Sequence, residues 1–171
     1  MILEVLHYPN PILKKKSKEV QSFGGELHQL LDDMYETMLS SNGVGLAAIQ
    51  VGVELRVLLV NIPREDKKQY KEDLLEIINP QILHKSGEIF FTEGCLSVPN
   101  FYEDVLRFDE IELAYHNRFG EVQKLKAKDY LAVAIQHEMD HLDGILFIDR
   151  LSLMKRKRFE KEFKRLQRGK K

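Results

Sequence analysis

Two histidines and a glutamate, His137, Glu138 and His141, stand in an H-E-x-x-H pattern within the stretch DYLAVAIQHEMDHLDG, Asp129 to Gly144. On a helix, residues four apart lie one turn apart on the same face, so the two imidazoles can ligate one metal ion. Glu138 is rotated about 100° from His137. Its carboxylate then sits beside the ion rather than on it, placed to take a proton from a metal-bound water. The chemistry this points to is metal-assisted hydrolysis.

Two histidines are an incomplete ligand set. The metzincin continuation H-x-x-G-x-x-H finds Gly144 in place but Phe147 where the third histidine would stand. The only glutamates after His141 are Glu160 and Glu162, both inside a basic segment, so the third ligand is expected upstream. Cys95, the single cysteine, lies in TEGCLSVPN, Thr92 to Asn100, between Gly94 and Pro99. A lone cysteine is commonly a small buried apolar residue. A thiolate is nevertheless the ligand type the helix lacks, and a Cys, His, His set leaves a fourth position open, which is a catalytic rather than a structural geometry.

These residues need elements to hold them. Asp129 is an N-cap candidate for the motif helix, Gly144 a C-terminal stop, and no proline intervenes. Tyr130 to Ile135 are apolar on every side, which suits a helix in the middle of a domain. Leu27, Leu30, Leu31, Met34, Met38 and Leu39 recur at three- and four-residue steps and predict an amphipathic helix over Gly25 to Ser41. A strand is expected in Val53 to Ile62, and shorter ones at Leu74–Ile78, Ile82–Leu83 and Ile89–Phe91, with Asn79-Pro80 and Lys85-Ser86-Gly87 as turns. Two or three antiparallel strands are expected between Tyr102 and Lys126. A final amphipathic helix over about 152–168 has Ser152 as its N-cap, with Leu153, Phe159, Phe163 and Leu166 on its apolar side. Met1 to Val20, with two prolines and a basic run, reads as an irregular arm. The expected fold is α+β: antiparallel sheets around a central H-E-x-x-H helix, with one helix in the N-terminal half and one at the C-terminus.

Length, 171 residues, and 43% apolar content fit one globular domain over 1–171. No segment approaches 18 consecutive apolar residues and no leader pattern opens the chain, so a cytoplasmic protein without a membrane role is expected. Net charge is -1, unevenly spread: Lys155 to Lys171 hold ten Lys or Arg against two Glu, net +8, leaving net -9 for residues 1–154. A basic helix on an acidic body suits contact with a polyanion such as a ribosomal surface, and equally a solvated helix face. Gly43-Val44-Gly45-Leu46-Ala47-Ala48 fits the loose dinucleotide pattern G-x-G-x-x-A, but a helix precedes it and a strand follows, the reverse of what that fingerprint needs. No nucleotide cofactor is expected. The stretch Ser41 to Gly52 reads instead as a glycine-permitted loop that leaves the amide of Gln50 among small apolar residues.

Three segments now stand in order: Gly43-Val44-Gly45-Leu46-Ala47-Ala48-Ile49-Gln50, Glu93-Gly94-Cys95-Leu96-Ser97 and Gln136-His137-Glu138-Met139-Asp140-His141. Together they resemble the three signature motifs of peptide deformylases, the hydrolases that remove the formyl group from the N-terminal methionine of nascent bacterial proteins. The resemblance implies that Cys95, His137 and His141 bind one divalent metal ion with a water as fourth ligand. Fe2+ is implied in the cell, with Zn2+, Ni2+ or Co2+ able to occupy a purified sample. It further implies Glu138 as general base and then acid, and Gln50 with the backbone N–H of Leu96 as oxyanion hole. Gly45 and its neighbours would pair with the N-formylmethionyl peptide as an added strand, and Val44, Phe91, Tyr130 and Ala134 would lie near the methionine pocket. The basic C-terminal helix would suit docking near the ribosomal exit. Two departures stand out: Asn100 replaces a common glycine, and Tyr102 falls where some relatives carry an arginine near the substrate backbone.

Two other classes compete with this reading. A metallopeptidase would cut internal peptide bonds, and the missing downstream ligand weighs against it. An RNA-associated protein with a vestigial metal would have no use for Glu138 and Gln50 beside an open coordination position.

Overall fold

A computed structural model describes residues 1–169; Lys170 and Lys171, counted in the basic terminal segment, lie outside the described residues. Its strands are β1 (Gly45–Ala47), β2 (Val57–Val60), β3 (Leu75–Ser86), β4 (Ile89–Cys95), β5 (Val98–Arg107), β6 (Glu110–His116) and β7 (Val122–Lys128). Its helices are α1 (Gly25–Ser40), α2 (Asp129–Leu142) and α3 (Leu153–Arg168). Five strands make an antiparallel sheet in the order β1-β2-β3-β6-β7, while β4 and β5 pair separately as a hairpin. The α+β class expected from the sequence is present.

The run Val57 to Val60 is apolar without alternation because both faces of the sheet are covered there. Leu58 and Val60 join Ile135 and Leu142 of α2 in one core cluster. Val57 and Leu59 join Leu31, Met34 and Met38 of α1 in another. A third cluster, with Phe101, Val105, Phe147 and Phe159, lies under the inner face of the β4–β5 hairpin and docks α3. The helix α2 therefore has the sheet on one side and reaches the hairpin on another. The N-terminal arm ties these parts together: Leu6 N–H donates to Gln50 O (2.7 Å), Tyr8 N–H to Ser97 O (2.7 Å) and Ser17 N–H to Leu142 O (2.8 Å). No helix among the described residues is long and apolar enough to cross a membrane.

Several local expectations are corrected. The stretch Ser41 to Gly52 is not simply a loop: Gly45–Ala47 pair with β2 as an edge strand, and Ala48–Val51 form a 3-10 turn. Asn79-Pro80 is not a turn but lies within β3, at an irregularity between Ile78 and Gln81. Asn79 there adopts φ 51°, and its side chain bonds both Val20 N–H (2.8 Å) and Val20 O (3.0 Å), giving the arm a partner in place of a strand. Leu39 is at the exposed margin of the α1 stripe. Leu153 is 71% exposed rather than apolar-side: the first turns of α3 meet the hairpin through charged groups, Lys155 with Glu103, and apolar packing begins at Phe159, whose ring packs against Tyr8 and Phe101. Ser152 does cap α3, accepting from Lys155 N–H (3.4 Å).

The start of α2 differs from expectation, while its end is as expected. Lys128 occupies the N-cap position, and no side chain caps the first turn. Asp129 takes φ 57° instead, with its N–H donated to Asp109 O (2.9 Å). At the other end Gly144 has φ 75°; its N–H bonds His141 O (3.1 Å), and Ile145 N–H bonds Asp140 O (2.9 Å), a Schellman closure. A Cβ at Gly144 would run into the carbonyl of Lys14 in the arm. Gly144→Ala is expected to cost more than about 1–2 kcal/mol, the left-handed penalty alone, when unfolding in urea is compared with the unaltered protein.

Candidate metal centre

His137 and His141 lie on one face of α2, as their spacing requires, and both are buried. Cys95 closes the set from the last position of β4, with Sγ 3.4 Å from Nε2 of His141. The ligand atoms of Cys95, His137 and His141 all lie within 4.8 Å of one another. Tetrahedral ligands about 2.0–2.3 Å from a shared ion are roughly 3.3–3.8 Å apart; the Cys95–His141 separation falls in that range, and the three groups are close enough together to hold one ion. One sulfur and two nitrogens suit a borderline divalent metal such as iron or zinc.

The ring of His137 is oriented from behind. Its Nδ1 is 2.8 Å from Glu93 Oε1, and with Nδ1–H donated to that carboxylate, Nε2 keeps its lone pair for an ion. Glu93 also receives a bidentate pair from Arg107, Nε and Nη2 each at 2.8 Å. Arg107 Nη1 donates to Asp140 Oδ2 (2.6 Å), and Arg150 Nη2 holds Asp140 Oδ1 (2.9 Å). Charge thus alternates along Arg150, Asp140, Arg107 and Glu93 from the surface to the imidazole. Burial would raise the Glu93 carboxyl, but Arg107 and His137 hold it below the usual carboxylate range.

Environment separates the titrations of the motif residues. Burial pushes His141 well below the ordinary histidine value, which keeps it neutral as a ligand must be. Burial also acts downward on His137, but Glu138, Cys95 and Glu93 outweigh it and raise that ring. The carboxyl of Glu138 is pushed up to about 7, chiefly by burial and against the attraction of His137. Its Oε2 lies 3.9 Å from His137 Nε2, and its Oε1 lies 4.0 Å from His141 Nε2. Oε1 is buried without a hydrogen-bond partner among the described residues. Gly45 of β1 packs directly on this carboxylate, since a Cβ there would come within 2.5 Å of Oε2.

Gln50 is buried in the 3-10 turn after β1. Its Oε1 accepts from Ala47 N–H (2.9 Å), while Nε2 donates to Ser97 Oγ (3.0 Å) and toward Cys95 Sγ (3.5 Å). Leu96 occupies the β4–β5 turn with its side chain against Gly43. Tyr130, Ala134 and Glu138 recur every four residues on one face of α2, and Phe91 stacks on Tyr130 with centroids 4.8 Å apart. Val44 immediately precedes Gly45. The structure thus gathers the sequence-derived candidates along α2 and at the edge of the sheet. Asn100 has φ 65°, a conformation where glycine would be costless and asparagine is tolerated. Tyr102 is 70% exposed, its ring lying across Gly94.

Sequence reading assigned no role to Arg107, Asp140, Arg150 or Ser97, and it quoted Glu93 without one. A signal existed. Glu93 alternates with Phe91 and Cys95, and Arg107 with Val105, so each puts a charge on the inner face of the hairpin. Two opposite charges on apolar-side positions of paired strands invite a buried pair.

The Polypeptide deformylase family model matches residues 2–157. A peptide deformylase of Helicobacter pylori (strain G27) is 59% identical over 170 residues, spanning 99% of this chain and 98% of its own. One from Wolinella succinogenes is 62% identical over 168 residues, spanning 98% of this chain and 99% of its own. The crystal structure of a peptide deformylase from Legionella pneumophila matches with a TM-score of 0.88 and 39% identity, over 98% of both chains.

The buried pair makes a stability prediction. Glu93→Ala leaves the Arg107 guanidinium, 4% exposed, with Asp140 as its one remaining anionic partner, and breaking a buried pair by removing one member costs about 3–5 kcal/mol. Urea unfolding of this variant is expected to show a loss of that size.

Proposed function

The chain belongs to the polypeptide deformylase family, and from that premise we propose that it hydrolyses the N-formyl group of nascent peptides that begin with formylmethionine, releasing formate. The observation that carries the mechanism is the buried Glu138 carboxyl, lodged between the imidazoles of His137 and His141 on one side and the backbone of Gly45 on the other. Cys95, His137 and His141 would hold the divalent ion. When bound, such an ion lowers the pKa of a coordinated water from about 15.7 toward 7 and polarises a carbonyl.

The remaining work falls to this chain's own groups. With a carboxyl pKa near 7, Glu138 is available in both protonation states at neutral pH. It takes a proton from the attacking water as the new C–O bond forms, then gives one to the amine as the C–N bond breaks. Formate and a free N-terminal methionine result. Negative charge collects on the formyl oxygen between those steps. Of the two N–H groups of Gln50, one is committed to Ser97 Oγ and the other points past Cys95 Sγ toward the side from which that oxygen would approach. The N–H of Leu96 supplies a second donor, and one such donor is worth about 3–4 kcal/mol. An amide suits this task because it donates without exchanging a proton.

Substrate recognition uses the free edge of the five-stranded sheet. The peptide backbone lies along Val44 and Gly45 as an added strand, which brings its formyl end beside Glu138. Its methionine side chain enters the apolar space bounded by Val44, Phe91, Tyr130 and Ala134. We assign Fe2+ as the ion in the cell, with Zn2+, Ni2+ or Co2+ as substitutes, and the cytoplasm as the place of action. The basic residues of α3 would meet a ribosomal surface.

Formate release from formyl-Met-Ala-Ser, with no cleavage of the acetylated peptide, is the expected activity; cleavage of internal bonds without formate release would sink it. Glu138→Ala is expected to keep its metal by elemental analysis while turnover falls about 10²–10⁴-fold. Cys95→Ser removes the one soft anionic ligand, and metal stoichiometry after gel filtration is expected to drop well below that of the unaltered protein.

A further inference from the structure

The charged segment Pro63 to Asp73, between β2 and β3, is an exposed loop braced by its own side chains. Arg64 pairs with Glu72 (2.6 Å) and Asp73 (2.7 Å) and lies over the Tyr70 ring. Tyr70 in turn bonds Asp66, and Lys68 N–H bonds Asp66 Oδ1 (2.9 Å). This framework presents one side chain, Gln69, back toward the sheet. Its Nε2 donates to Gly43 O (2.9 Å) and to Asn61 O (2.9 Å), one hydrogen for each carbonyl. Asn61 N–H donates to Val44 O (2.8 Å), and its own side chain bonds Tyr70 O (3.1 Å).

These contacts fall where the ladder between β1 and β2 runs out. Register pairs Gly45 with Val60, and the Asn61 to Val44 bond continues it by one step. At Gly43 no further strand partner is at hand, and the Gln69 amide takes that place. With only three residues, β1 has little ladder of its own to resist twisting at an edge. From this we infer that Gln69 is a positioning residue for substrate: it staples the entry of β1 to the end of β2, holding Val44 and Gly45 in the extended register that an incoming peptide must match.

The inference rests on the deformylase reading and deepens it. If the staple acts by preorganising the edge strand, its loss appears in binding of the peptide backbone and not in the chemical step. Gln69→Leu keeps the volume and removes both donors. Gln69→Glu turns a carboxylate toward two carbonyl oxygens and is expected to be the worse of the two.

The test uses metal-loaded enzyme with two substrates, formyl-Met-Ala-Ser and N-formylmethioninamide. For the tripeptide, KM is expected to rise about five- to tenfold in Gln69→Leu, the scale of one or two neutral hydrogen bonds, with kcat within about twofold. For the single-residue substrate, which has little backbone to lay along β1, kcat/KM is expected to change less than about twofold. A general loosening of the fold would instead lower kcat and metal content and affect both substrates alike, and that result overturns the inference. So does an unchanged tripeptide KM in both variants while the unaltered enzyme is active. If the unaltered enzyme releases no formate from either substrate, the deformylase reading itself falls and takes this one with it.

Discussion

Glu93 is buried between Arg107 and His137, and an ionised carboxylate so placed is tolerable only while both partners stay where they are. That requirement fixes several things together. The hairpin β4–β5 must keep Glu93 and Arg107 on its inner face, and α2 must present His137 and Asp140 to meet them. Since Cys95 sits two residues beyond Glu93 on the same strand face, the contact that orients one imidazole also sets the approach of the sulfur. The grouping of Cys95, His137 and His141 is thus tied to the Glu93–Arg107 pair, which holds His137 directly and Cys95 through the strand.

The other side of the site depends on closeness rather than charge. Gly45 lets β1 lie against the carboxyl of Glu138, and any larger residue there would displace that group. The same approach strips water from the carboxyl and contributes to its raised pKa. Packing and acid–base behaviour are therefore one arrangement seen from two sides. A carboxyl that titrates near neutrality is produced by burial, while the neighbouring His141 is kept neutral by its own burial.

Around this centre the fold supplies supports that carry no chemistry. The arm bonds to Gln50, Ser97 and Leu142, touching each segment that contributes to the site. Arg56 donates to Leu142 O (3.1 Å) at the end of α2, where the same carbonyl also accepts from Ser17 N–H. Such contacts join parts that are far apart in the chain and leave no periodic trace in it.

Local rules in the sequence determined what is local in the protein. The four-residue spacing of His137 and His141, the stripe of α1 and the glycine that ends α2 each follow from helix geometry within about four residues, and each is read directly. The chemistry of the missing ligand narrowed attention to Cys95, although spacing alone said nothing of how 42 residues of chain fold back to bring it there. Tertiary structure alone decided the rest. Asn79-Pro80 carries turn residues yet lies in a strand, because the strands beside it and Val20 offered its backbone and side chain better partners than a turn would. The edge strand β1 hides in a glycine-containing stretch because three residues are too few to show a period. Arg107 and Asp140 look like surface charges until the hairpin closes on α2, and only then does burial without compensation become so costly that their pairing is required.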